Sequence, residues 1–172
     1  MTKLEESRHF KAWMKSWLDI IEEFGPDTND RTIVIVGAAL LDTHLEQLIA
    51  SFLIDEKNQA AELLDPDRPL GSFGARIRTA YCLGLISKGE YHDLRIIQKV
   101  RNDFAHKLDI SFSDNSIKDR CNTLKLAKTS PPSLHSPEPR DSFISATIAL
   151  GGHLAFRIAK AERDRRVVPS DL

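Results

Sequence analysis

Arg101 and His106 are the two residues of this 172-residue chain whose types and spacing could do chemistry. A histidine can take up and return a proton near neutral pH, and an arginine can hold the negative charge of a phosphate that is being transferred. RNA carries its own nucleophile in the 2′-hydroxyl. With Asn102 to orient the phosphate or the imidazole, these groups could therefore cleave RNA without a metal and leave a 2′,3′-cyclic phosphate.

The five-residue separation sets a geometric condition on this pair. Apolar residues at helical spacing predict a helix through Arg101, namely Tyr91, Leu94, Ile97, Val100, Phe104 and Leu108. On an ideal helix five residues turn about 140°, so Arg101 and His106 would not share a face. Either the helix stops near Ala105, or the pair works across two subunits.

Arg101 also has a structural interpretation, because it falls inside the apolar arc of that helix. An arginine there is costly unless its donors are satisfied. The alternative to catalysis is a buried ion pair with a core carboxylate such as Asp42 or Glu46. His106 would then cap the helix end or accept a hydrogen bond from the core.

Charge limits the contacts that the chain could make with polyanions. Its net charge of −1 gives no overall basic field toward nucleic acid or a membrane. Only local clusters of basic residues could bind a polyanion, although such clusters are also typical of solvated helix faces. The residues predicted for nucleic-acid contact are Arg76, Arg78, Lys88, Arg95 and Lys99.

Part of this stretch lies near the spacing of a helix-turn-helix motif. Ala80, Gly84 and Ile86 approach the motif, and the helix that follows would present basic residues to DNA. Glu90, however, stands where the motif requires an apolar residue. The sequence therefore favours a packed helical hairpin without a standard helix-turn-helix.

Helical periodicity recurs along the chain and strand signals hardly appear, which predicts an all-α, single-domain bundle of about six to seven helices. Residues 129–140 contain four prolines and are predicted as a long polar loop. The predicted helices cover about residues 4–24, 30–53, 58–64, 73–83, 87 to at least 101, 114–126 and 141–166. Asn29 or Asp30 is predicted to cap the start of the second helix, and Gly84 to end the helix over residues 73–83. The Ser87 and Glu90 capping box is predicted to start the next helix, and Ser113 to cap the helix over residues 114–126.

The cysteines and the chain's apolar segments predict a cytoplasmic protein. Cys82 and Cys121 lack the spacing of a zinc site or a disulfide framework, and we predict no metal and no cofactor. Charges spread through the N-terminal residues argue against a signal peptide. The apolar stretch over residues 32–41 is too short to cross a bilayer, so no membrane contact is expected.

The hexamer R-N-D-F-A-H at residues 101–106 resembles the R-x4-H pattern of the HEPN superfamily of helical proteins, many of which are RNases. The wider stretch from RTIVIVGAALLDTHLEQLI through LLDPDRPLGSFGARIRTAYCLGLIS to DRCNTL looks like the mannitol operon repressor family. This resemblance covers about residues 30–125. It implies an HEPN-like fold, a repressor of mannitol operon expression, and a site built across a symmetric homodimer.

Three functions remain open from the sequence. The family resemblance implies a transcriptional regulator that works through nucleic-acid or protein contacts. The hexamer implies a metal-independent endoribonuclease that uses Arg101, Asn102 and His106. The third is a non-catalytic dimer that binds another protein. RNA, DNA and a protein are thus the candidate partners.

Overall fold

The structure, a computed structural model, describes Lys15 and residues 24–129 and 138–170. Those residues form six α-helices, one short 3-10 helix and no strand, so the predicted all-α fold is confirmed. The helix predicted over residues 4–24 and most of the loop predicted over residues 129–140 lie outside the described residues. In chain order the elements are α1 (Asp30–Phe52), α2 (Lys57–Leu64), α3 (Phe73–Cys82), α4 (Lys88–His106), α5 (Asn115–Asn122), the 3-10 helix (Leu126–Thr129) and α6 (Pro139–Arg163).

Helices α1 and α6 form the central pair of the described fold, and α3 and α4 pack against α1. A Cβ on Gly37 of α1 would lie 3.2 Å from Cγ2 of Thr147 on α6, so glycine allows the two helices to approach closely here. Burial of apolar side chains from both helices supplies the main stabilising term of this pair. The fully buried side chains include Ile33, Leu41, Leu45, Leu48, Phe143, Leu150 and Leu154.

Both central helices are also long and apolar enough to cross a membrane, judged by length and composition alone. About half of the apolar window in each helix is buried inside the protein. Core helices that bury one stripe against neighbouring helices have this character. We therefore interpret α1 and α6 as the core of the bundle.

Local capping chemistry sets the ends of α1, α3 and α4 as the sequence predicts. The Asn29 side chain accepts the backbone N–H of Arg31 at 2.8 Å at the start of α1. Gly84 has a φ of 71°, the left-handed conformation that lets glycine end a helix. The Ser87 amide donates to the Glu90 carboxylate at 2.6 Å, and the Glu90 amide donates to the Ser87 hydroxyl at 3.3 Å.

The prediction for α5 was wrong at its start. The capping position belongs to Asp114 rather than Ser113, and no side-chain hydrogen bond caps the helix. The Asp114 carboxylate instead accepts the backbone N–H of Ser111 at 2.8 Å, within the turn that precedes the helix. The Asp114 carboxylate is therefore used by the turn and not by the helix. The first helical residue is Asn115, one position later than predicted.

The end of α5 also differs from the prediction, because the helix stops at Asn122 rather than near Leu126. Asp93 of α4 is fully buried, and its carboxylate accepts the backbone N–H of Lys125 at 3.0 Å and of Leu126 at 2.8 Å. These two bonds act as a cap for the 3-10 helix, since they satisfy N–H groups that a continuing α5 would use.

Candidate functional site

Helix α4 carries the residues that the sequence singles out for chemistry, and it runs unbroken to His106. Arg101 and His106 are both helical, so on ideal geometry their side chains point about 140° apart. The sequence allowed for a helix that stops near Ala105, but the last helical residue is His106 itself. The angle between the two side chains is therefore that of a continuous helix. A single chain therefore does not bring Arg101 and His106 together at one phosphate.

Arg101, Asn102 and His106 all lie on the protein surface. Arg101 donates to the side-chain oxygen of the adjacent Asn102 at 3.3 Å. Within the described residues neither Arg101 nor His106 forms an ion pair, and no hydrogen bond of the His106 side chain is present. The structural alternative predicted a buried Arg101 and a capping His106. Arg101 is exposed instead, and the carbonyls at the helix end accept hydrogen bonds from Arg31 rather than from His106.

Arg31 supplies the cap at the end of α4 that the sequence assigned to His106. Its guanidinium, at the start of α1, donates to the carbonyls of Phe104, Lys107 and Leu108, the latter two at 2.7 and 2.8 Å. The last carbonyls of a helix lack partners within it and carry partial negative charge, so a cation here both bonds and complements them. The hexamer is thereby fixed to the first turn of α1.

The two middle residues of the hexamer are structural. Phe104 is fully buried, with its ring centroid 5.5 Å from that of Phe112. Asp103 forms ion pairs with Arg120 of α5 and with Lys107. Burial raises the pKa of Asp103, but hydrogen bonds from Arg120 and Lys107 outweigh it and hold the pKa below its ordinary value.

Arg76 of α3 occupies the buried ion pair that the sequence assigned to Arg101. Its guanidinium contacts Asp42 at 2.8 Å and Glu46 at 2.7 Å, and it also donates to the Leu64 carbonyl at 2.8 Å. The two carboxylates were predicted correctly and the arginine was wrong. Because Arg76 is buried and engaged in these contacts, we remove it from the predicted nucleic-acid contacts.

The remaining basic residues of α4 fall on one line along the helix. At 100° per residue, Lys88, Arg95 and Lys99 lie within about 40° of one another, and His106 continues the same line. From Lys88 to His106 the line is about 27 Å long. Lys88 and Lys99 are exposed and Arg95 is half-buried, and in the described part of the chain none of the three has a carboxylate partner. We call Lys88, Arg95 and Lys99 the α4 basic line; Arg78 is exposed on α3, outside it.

A buried carboxylate at the first turn of α4 ties this helix to α6. Glu90 is only 2% exposed. It accepts hydrogen bonds from Nε of Arg157 at 2.9 Å and contacts Nδ1 of His153 at 3.1 Å, while its second oxygen lies 2.8 Å from Nη2 of Arg157. Burial raises the pKa of Glu90, but hydrogen bonds from Arg157 and Ser87 outweigh this effect and lower the pKa below 4.5.

Two adjoining grooves open beside this cluster, and Arg157 and Lys160 of α6 line both. The first has a volume of about 440 Å³ and the second about 230 Å³. The first groove is lined by Glu90, Gly152, His153, Phe156, Arg157 and Lys160. The second is lined by Phe52, Leu83, Gly84, Leu85, Arg157, Lys160, Ala161, Asp164 and Arg166.

Neither cysteine belongs to these grooves. Cys82 is exposed, Cys121 is buried, and both thiols are free. Burial raises the pKa of the Cys121 thiol to about 12, as expected for a packed side chain. Across the described residues, no group of three His, Cys, Asp or Glu side chains is placed to hold a metal ion.

Sequence reasoning missed His153 and Arg157 as partners of Glu90. His153 and Arg157 are four residues apart on α6 and so face the same side of the helix. The available signal was Glu90 itself, because the capping box explains its carboxylate but a helix-turn-helix requires an apolar residue at this position. The sequence did not show that α6 would supply the opposing charge.

The fold defines a class of helical bundle that a solved structure shares. It matches a chain in the X-ray structure of the MtlR-HPr complex from Escherichia coli with a TM-score of 0.61, over 88% of this chain and 99% of that chain. The two sequences are 22% identical. This comparison therefore shows the fold alone.

Sequence comparisons identify the family within that class. The model of the mannitol repressor family matches residues 18–172. The mannitol operon repressors of Escherichia coli strains K12 and O6:H1 (CFT073) are each 28% identical over 132 residues, which cover 74% of this chain and 67% of theirs. The chain belongs to the mannitol repressor family, and its predicted role as a repressor-like regulator is confirmed.

Replacing Glu90 with glutamine tests the contact between α4 and α6. A pKa lowered in the folded state means that the carboxylate contributes stability above pH 4.5, which is lost as the pH falls through the folded-state value. We expect Glu90→Gln to lower the unfolding free energy at pH 7 by about 2 kcal/mol, the scale of hydrogen bonds to a charged group. The loss should shrink below pH 4.5.

Thermal unfolding from pH 3 to pH 8 measures this effect, with pH values taken about every half unit around the ordinary carboxyl range. Glu62→Gln is the matched control, because its ion pair with Arg68 is exposed and contributes little. A constant difference between Glu90→Gln and wild type at every pH would contradict the assignment.

Proposed function

We propose that this chain regulates a mannitol operon by binding a partner protein, and that HPr is that partner. The main support for this proposal is the fold match, which spans 99% of a chain in the X-ray structure of the MtlR-HPr complex from Escherichia coli. Family membership over residues 18–172 supports the same role in regulation. A regulator of this kind would act in the cytoplasm.

The packing of the α3 and α4 hairpin favours a protein contact over sequence-specific reading of DNA. In a helix-turn-helix the start of the second helix enters the major groove. Here Ile86 and Glu90 are buried, and Glu90 joins the start of α4 to Arg157 of α6. A buried ion pair therefore occupies the position at which a helix-turn-helix packs an apolar side chain.

Isothermal titration of the full chain with HPr from the same organism tests this proposal. We expect saturable binding with a Kd of about 1 to 100 μM, the range of a transient regulatory contact. An unrelated protein of similar size and charge is the control and should give no saturable heat. Absence of saturable binding with HPr would overturn the proposal that HPr is the partner.

A second candidate is contact between the α4 basic line and nucleic acid. This candidate is supported by the position of Lys88, Arg95 and Lys99 along one side of α4. Among the described residues, none of the three has a carboxylate partner. Three such charges favour weak binding through phosphates rather than base reading. The HEPN resemblance, the homodimer and a ribonuclease site shared between two copies stay predictions from the sequence.

Fluorescence anisotropy with a labelled 20-nucleotide RNA and a DNA duplex tests the α4 basic line. We expect Arg95→Ala and Lys99→Gln each to weaken binding several-fold and to lower the salt slope by about 1. Lys57→Gln on α2, exposed and outside the line, is the charge-matched control. A salt slope near zero for wild type would remove this candidate.

A further inference from the structure

Tyr81 at the end of α3 and Tyr91 near the start of α4 stack on one another at the surface of the hairpin. Their ring centroids lie 4.5 Å apart, with 27° between the ring planes. Tyr91 is partly buried against the core, whereas Tyr81 is 38% exposed. Stacked rings are an ordinary form of helix packing. The exposed part of Tyr81, however, leaves aromatic surface available to a further ring.

Two contacts fix how α3 and α4 lie side by side. Near the turn, Tyr81 meets Tyr91. At the other end, a Cβ on Gly74 would lie 2.3 Å from Nε2 of Gln98, so the Gln98 amide lies against the backbone of α3. The same number of residues separates the two contact points on each helix. Positions between these contacts can therefore be matched one to one across the hairpin.

Arg78 and Arg95 occupy matching levels of the two helices. Arg78 precedes Tyr81 by three residues and so lies on the same side of α3, and Arg95 follows Tyr91 by four residues on the same side of α4. Arg78 is exposed and Arg95 is half-buried. Two arginines therefore flank the line of contact between the helices, next to the stacked rings. We call Arg78, Tyr81, Tyr91 and Arg95 the α3–α4 seam.

The positive charge of the seam is not neutralised by any carboxylate among the described residues. Helix α3 contains no acidic residue. Helix α4 contains Glu90, Asp93 and Asp103, and all three are engaged in the contacts with Arg157, the 3-10 helix and Arg120 described above. Two like charges at one level repel each other. A bound phosphate would remove that repulsion, because guanidinium groups donate strong hydrogen bonds to phosphate oxygens.

An exposed aromatic ring beside unneutralised cations favours single-stranded nucleic acid. Every base has a flat face that stacks on an aromatic side chain, while cations hold the phosphates of the backbone. In a duplex the bases already stack on one another, so a duplex would use the cations of the seam and not the ring of Tyr81. An acidic protein would likewise neutralise the arginines without requiring an aromatic ring.

We propose that the α3–α4 seam binds single-stranded nucleic acid. A base of the strand stacks on the exposed part of Tyr81, whose ring Tyr91 supports, and the neighbouring phosphates accept hydrogen bonds from Arg78 and Arg95. The other two cations of the α4 basic line continue the path of the backbone along α4. This inference rests on the second candidate function, since it names the class of nucleic acid and the ring that holds a base.

Fluorescence anisotropy of the full chain tests the seam, with a labelled RNA of uridines, which does not fold on itself, and a DNA duplex. We expect Tyr81→Leu to weaken binding of the RNA at least about fivefold, the lower end of the effect of removing one stacking ring. Its effect on the duplex should be small. Tyr81→Phe, which keeps the ring, should bind like wild type. Arg78→Gln should lower the salt slope for the RNA by about 0.7.

Two variants outside the seam are the matched controls. Phe156→Leu removes an aromatic ring that is 55% exposed on α6, and Arg163→Gln removes an exposed arginine from the last turn of α6. Neither should change binding. Thermal unfolding checks that each variant is folded. If Tyr81→Leu does not fold, wild type is irradiated with an RNA that carries 5-iodouridine, which crosslinks to an aromatic ring stacked on it, and Tyr81 is the expected site.

The outcomes separate this inference from the candidate function on which it rests. If folded Tyr81→Leu binds the RNA like wild type, or if the crosslink falls outside the seam, the seam is overturned and phosphate contact with the α4 basic line still stands. An equal loss on RNA and duplex also overturns it, because the ring then supports the surface rather than a base. No salt-dependent binding by wild type overturns both. If uridine monophosphate displaces the RNA at equal nucleotide concentration, the seam binds free nucleotides and the proposal is wrong.

Discussion

The ion pair between Glu90 and Arg157 is the contact on which both candidate surfaces depend. A buried carboxylate is costly unless hydrogen bonds and an opposite charge compensate it. Arg157 and His153 provide that compensation from α6, and Ser87 adds a hydrogen bond from the capping box. The start of α4 is thereby held against the C-terminal half of α6, which sets the direction of the α4 basic line and of the α3–α4 seam.

The two surfaces share Arg95 but differ in chemistry. The α4 basic line has charge alone, whereas the α3–α4 seam adds a pair of stacked aromatic rings. The first suits weak, salt-dependent contact with phosphates, and the second also suits the bases of a single strand. A protein contact away from α3 and α4 would leave both surfaces accessible. The hexamer lies at the far end of α4, where Arg31 fixes the helix end and Phe104 joins the core.

Features that depend on neighbouring residues were predictable from the sequence, and features that depend on distant ones were not. The capping box at Ser87, the cap at Asn29 and the left-handed Gly84 follow from local hydrogen bonds and backbone sterics. The ion pair of Asp42 and Glu46 was assigned to the wrong arginine. Periodicity places Arg101 within the apolar arc of its helix, but no other helix of the described residues packs over that position and Arg101 is exposed. Similarly, the 3-10 helix after α5 depends on Asp93, more than thirty positions earlier in the chain.

Mannitol operon transcript, quantified in the source organism without mannitol, tests regulation by this protein most directly. Deletion of the gene should raise the transcript. Both wild type and His106→Ala should lower it again, because the proposed regulation works through a protein contact and does not use the hexamer as a catalytic site. An unchanged transcript after deletion would contradict a role in regulation. Restoration by wild type but not by a folded His106→Ala variant would instead favour the ribonuclease chemistry of the hexamer.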